Sequence, residues 1–93
     1  MEALARDYLK RAKARLVTAE EAFKRGYYPE TVRYSQECVE LSLKARLRMV
    51  GNVWNRGGGK TAGRIVRRRG AEEALRNAKQ VHQLARKLIE EKE

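Results

Sequence analysis

Several residue types are nearly absent from this 93-residue chain, and each scarcity excludes a class of function. Cysteine occurs once, at Cys38, so no intramolecular disulfide can form, and a small buried hydrophobe is its ordinary role. Histidine also occurs once, at His82, and aspartate once, at Asp7. One histidine and one cysteine cannot build a zinc site without several carboxylates, so neither a metal nor another cofactor is expected. Proline occurs once and aromatics make up 6%, with glycine gathered at a few turn-like places. No apolar run approaches the roughly 20 residues of a membrane span. The opening MEALARDYLK lacks the pattern of a secretory signal, which makes a cytoplasmic protein the simplest expectation.

What remains is rich in Ala, Leu, Glu, Lys and Arg, a helical composition. The length suits one domain over residues 1–93. A chain of this size buries only about 60–65% of its unfolded surface, so a partner subunit would add substantially to its stability. The fold class expected is all-α, an up-and-down antiparallel bundle of three long helices and one short one. The periodicities place these helices at about 2–25, 29–50, 61–69 and 71–91, with a Gly-rich loop at 51–60.

The first helix carries an apolar seam of Ala5, Leu9, Ala12, Leu16, Ala19 and Phe23, widened by Tyr8 and Ala22. Its alanines permit close approach of a neighbour. Gly26 ends it, and the short connection to Pro29 forces the second helix to run antiparallel. That second helix, closing at Gly51, has two apolar stripes: Val32, Val39, Leu43, Leu47 and Val50 on one, Tyr34, Cys38, Leu41 and Ala45 on the other. Two stripes call for two sets of neighbours, and a homodimer through helix two would supply the second. Glu37 and Glu40 on this helix read as surface ion-pairing partners of Arg33 or Lys44. The last helix has a seam of Ala74, Ala78, Val81, Ala85 and Leu88, flanked by Leu75, His82 and Ile89, with Glu72 and Glu73 at its positive end.

The pattern Ala5, Tyr8, Ala12, Ala19, Ala22-Phe23 and Gly26-Tyr27-Tyr28, followed by ELSLKARLRMVG from Glu40 to Gly51, resembles the first two helices of HEPN domains. The resemblance covers about residues 3–51. It implies a small helical module, and it implies as partner a separately encoded small nucleotidyltransferase in a toxin–antitoxin-like pair. Relative to that family the region between the second and last helices is shortened, which puts any function housed there in doubt.

Charge supplies the other functional signal. The formal net charge is +10, and no acid occurs from Leu41 to Ala71. Within that stretch Arg56, Lys60, Arg64, Arg67, Arg68 and Arg69 form the densest cationic group. Arginine in such a run suits bidentate phosphate contact, so RNA or nucleotide phosphates are the candidate ligands; a merely solvated, solubilising surface is the alternative. Gly59-Lys60-Thr61 imitates a phosphate loop, but Trp54 stands where the pattern needs glycine and no strand precedes it.

One candidate catalytic constellation exists. Many HEPN ribonucleases carry an Arg followed by a polar residue and, four to six residues on, a His; here Arg76, Asn77 and His82 match. The chemistry would be metal-independent RNA cleavage. His82 would move the proton, Arg76 would stabilise phosphate charge, and Asn77 would orient a neighbour. Six positions apart on one helix, Arg76 and His82 diverge by about 120°, so they could meet on one phosphate only across a dimer cleft. The tyrosine that shortly follows the His in the toxin branch is absent, with Gln83 and Leu84 in its place. A histidine at the edge of the core is the favoured reading, and the expectation leans away from an enzyme. Three functions stay open: an RNA- or nucleotide-contacting module, a ribonuclease, and a structural dimerisation module.

Overall fold

A computed structural model describes residues 2–50 and 66–92 and forms an all-α bundle of three long helices: α1 (Glu2–Lys24), α2 (Tyr28–Val50) and α3 (Arg68–Lys92). Most of the short helix expected over 61–69 lies outside the described residues. Of that span, Val66 and Arg67 precede α3, and Arg68 and Arg69 form its first turn. Gly70 does not separate two helices. The Ala71 amide donates to the Arg67 carbonyl at 3.0 Å, so helical bonding runs straight through the glycine.

The α1–α2 turn is closed by the chain's own backbone. Gly26 adopts φ +82°, the left-handed conformation that glycine enters without steric penalty. The Gly26 amide then donates to the Phe23 carbonyl at 3.0 Å and the Tyr27 amide to the Ala22 carbonyl at 2.9 Å, a Schellman motif. The Tyr27 carbonyl accepts from the amide of Thr31 at 2.9 Å and opens α2. Pro29 sits in that first turn, where its missing N–H leaves nothing unpaired.

The most extensive helix contact is α1 on α2. Its centre consists of small side chains: Ala5, Ala12, Ala19 and Ala22 from α1 meet Thr31, Ser35, Cys38, Ser42 and Ala45 from α2, all buried. The steps of four and three between these α2 residues make one continuous strip. That strip runs between the two apolar stripes, so Tyr34, Leu41 and Val39 pack against the same core from either side. The two stripes are thus largely the flanks of one broad buried arc.

α3 closes the bundle against both. Its buried row is Ala71, Leu75, Ala78, His82, Ala85 and Ile89, while Ala74, Val81 and Leu88 are half-buried. The seam is therefore rotated by about one residue from the expected one, and His82 stands on it instead of on its flank. Lys79 pairs with Glu20 of α1 at 3.0 Å, and Ile89 clusters with Ala5 and Ala45. α3 consequently runs antiparallel to α1 and parallel to α2.

The Ser35 hydroxyl is buried in this contact without a hydrogen-bond partner. Ser35→Ala is expected to leave stability unchanged or raise it by up to ~1 kcal/mol, since an unpaired buried hydroxyl is costly. Ala19→Leu should instead lower it by about 1–3 kcal/mol through overpacking. Urea midpoints of the two variants test the pair, and a destabilised Ser35→Ala would mean that the hydroxyl has a stabilising partner.

Candidate functional site

His82 is 7% exposed, packed in the α1–α3 contact. Burial lowers its pKa below the ordinary histidine value; a hydrogen bond with the Leu9 backbone opposes that shift, and the charges of Lys13 and Arg86 reinforce it. Arg76 is exposed and lines a cleft between α1 and α3 with Glu20, Phe23, Lys24 and Glu72. Asn77 is also exposed and lines a different groove, between α2 and α3, with Arg33, Gln36 and Glu40. The three residues of the Arg-polar-His pattern thus belong to three different environments of one chain. Over six positions Arg76 and His82 are also separated by about 9 Å of helix rise.

Cys38 is fully buried, with its thiol 4.0 Å from the Ala78 carbonyl, and burial raises its pKa. It is a packing residue at the meeting of three helices. Among the described residues no group of three or more His, Cys, Asp or Glu side chains is placed to hold a metal ion. Glu37 pairs with Arg15 of α1 at 3.0 Å, across the helix contact, whereas Arg33 donates to the Tyr34 hydroxyl at 3.2 Å and lies 5.0 Å from its ring centroid. The local Arg33–Glu37 pair expected on α2 gives way to a bond between helices.

The cationic residues divide between the two ends of the bundle. Arg56, Lys60 and Arg64 lie outside the described residues. Lys44, Arg46 and Arg48 are exposed toward the C-terminus of α2, and Arg48, in its last turn, complements the helix dipole. Arg67, Arg68 and Arg69 are exposed at the opposite end, at the N-terminus of α3. The first turn of α3 holds no acid, and Glu72 and Glu73 follow one turn later. Arginines there oppose the dipole, a local cost of roughly 0.3–1 kcal/mol each. Arg68 lies 5.8 Å from the Phe23 ring centroid, and that ring sits 5.7 Å from Tyr28. The triplet is thereby brought to the Gly26-Tyr27-Tyr28 turn, although the two are some forty residues apart in sequence.

On the α2–α3 side an apolar groove is lined by Leu43, Val81, Leu84, Ala85 and Leu88, with Leu84 68% exposed. No described helix is long and apolar enough to cross a membrane.

The model of the family described as HEPN domain matches residues 5–61. The chain is also similar to a protein of Methanocaldococcus jannaschii named "Putative toxin MJ1304", 39% identical over 49 residues. That alignment takes in 53% of this chain and 32% of the other, so the chain spans about a third of that relative's length. No solved structure matches.

The burial of His82 sets a pH dependence. Its pKa is lowered in the fold, so below the unfolded value of about 6.5 the unfolded chain takes up a proton that the native chain resists. This stability is fully present above about pH 6.5 and falls as pH drops toward the lowered native value. His82→Gln should flatten the dependence of the urea midpoint over that window. An unchanged slope in the variant would show that the histidine is solvated like a surface residue.

Proposed function

The chain belongs to the HEPN domain family, and from that premise we propose that it is a binding module contacting RNA or nucleotide phosphates and working beside a partner protein. The observation that carries this reading is the exposed Arg67–Arg69 triplet at the start of α3. Six exposed cations are described between Leu41 and Ala71: Lys44, Arg46 and Arg48 at one end, Arg67, Arg68 and Arg69 at the other. Of the first group, Arg48 stands in the last turn of α2, at the negative end of the dipole. The second group works against its helix, and such violations of local preference concentrate at functional sites. Planar guanidinium groups with paired N–H donors suit phosphate oxygens.

His82 weighs in the same direction. A general acid or base must reach its substrate's proton, and a buried imidazole bonded to the Leu9 backbone is poorly placed to do so. A ribonuclease built on Arg76 and His82 would need a second chain to bring the two together.

The similarity to a protein whose name includes the word toxin supports a toxin–antitoxin-like setting. The family resemblance suggests a small nucleotidyltransferase as the partner. A homodimer through the α2 stripe that holds Leu43 and Leu47 fits their half-buried state and the adjoining apolar groove that contains Leu84.

Replacing Arg67, Arg68 and Arg69 together by alanine should weaken binding of a labelled RNA while leaving stability equal or slightly improved, because the dipole conflict is relieved. The slope of log affinity against log salt should become shallower by about 2, the contribution of three phosphate contacts on a single strand. Fluorescence anisotropy over a salt series measures it. Undiminished affinity with an unchanged slope would overturn the phosphate role of the triplet.

A further inference from the structure

Tyr27 is 55% exposed, the only exposed aromatic among the described residues; Tyr8, Phe23, Tyr28 and Tyr34 are all half-buried. Its exposure contrasts with the way its backbone is held. The Tyr27 amide donates to the Ala22 carbonyl at 2.9 Å, which ties it to the end of α1. Its carbonyl accepts twice at 2.9 Å, from the amide and from the hydroxyl of Thr31, which ties it to the start of α2. Thr31 is itself fully buried. A residue clamped to two helices with its ring in solvent is an organised aromatic surface, and a flat ligand docking there would order little further chain.

The surroundings specify the ligand. Phe23 and the neighbouring Tyr28 meet with tilted rings, and Arg68 lies over Phe23, which places the Arg67–Arg69 triplet at the same end of the bundle. Lys24 and Arg25 are exposed at the end of α1. An exposed aromatic face at the same end of the bundle as a row of guanidinium groups matches an unpaired nucleotide, which presents both a π-face and a phosphate. A duplex offers the phosphates but keeps its bases stacked inside.

We propose that the Tyr27 turn and the Arg67–Arg69 triplet form one docking surface for single-stranded RNA, with a base stacked on Tyr27 and the adjoining phosphates on the arginines. The proposal rests on the phosphate-contact reading above and adds the class of strand and the residue that selects it.

The test uses the full chain, a labelled unstructured RNA decamer and a duplex of the same length, with binding followed by anisotropy. Tyr27→Ala removes the ring. Tyr27→Leu keeps apolar cover over the turn without a π-face, and remains informative if the alanine variant folds poorly. Tyr27→Trp restores the face. The leucine and alanine variants should bind the single strand about 5- to 100-fold more weakly than wild type with an unchanged salt slope. The tryptophan variant should bind as wild type, and duplex affinity should be the same in all. If Tyr27→Leu binds the single strand as wild type while the Arg67, Arg68 and Arg69 variant loses affinity, the stacking surface is wrong and the phosphate reading stands. Equal loss on single strand and duplex would also overturn it, because the ring would then not be reading unpaired bases. If wild type binds neither RNA, both readings fall.

Discussion

Everything in this bundle depends on how closely α1 and α2 approach. Ala5, Ala12 and Ala19 recur every seven residues along α1, and facing them α2 offers Thr31, Ser35, Cys38, Ser42 and Ala45. Without bulky side chains between them the two backbones can come near the lower end of the usual 8–10 Å interaxial range. Larger groups flank this strip, where Leu16, Tyr34, Val39 and Leu41 pack with Leu75 and Ala78 of α3. A tight pair of helices has two grooves along its sides, and α3 fills one of them with a row that alternates alanines with Leu75, His82 and Ile89. The cost is polar: hydroxyls chosen for their size are buried where Ser35 finds no partner.

The parallel course of α2 and α3 gives the bundle electrical asymmetry. The N-termini of both lie at the end where α1 terminates, and their partial positive charges add there. Arg67, Arg68 and Arg69 raise the potential at an end that is already positive, while Arg48 at the other end is compensated by the C-terminus of α2. The acid-free run from Leu41 to Ala71 looks uniform as sequence. Once it is folded onto helices of known direction, its two halves are physically different.

The α1–α2 hairpin was legible because its signals are local: an alanine seam at steps of four and three, a glycine that stops one helix and a proline that suits the start of the next. Three features escaped for definite reasons. The strip through Ser35 and Ser42 is invisible to a search for large apolar residues, although counting small residues together with alanine would have found it. The α3 seam was displaced by one position because alanine is so frequent there that two adjacent rows look equally good. The expected break between helices at 61–69 and 71–91 falls at Gly70, which the hydrogen bond between Ala71 and Arg67 bridges. The meeting of Arg68 with Phe23 could not be read at all, since it follows from the parallel topology and from no local pattern.

That topology bears on where function can reside. A seam position in a small bundle is already committed: His82 fills a place in the α1–α3 contact that would otherwise be taken by an apolar side chain, and its lowered pKa records that desolvation. A group held so is stable because it stays neutral, whereas a proton-transfer group must exchange its proton at the surface of a substrate. The end of the bundle carries no such commitment. There Tyr27 is fixed through its backbone alone, so its ring contributes little to the core, and Arg68 and Arg69 are retained against the preference of the helix they begin. Exposed residues that add little to the core, positioned by residues that build it, coincide at that end.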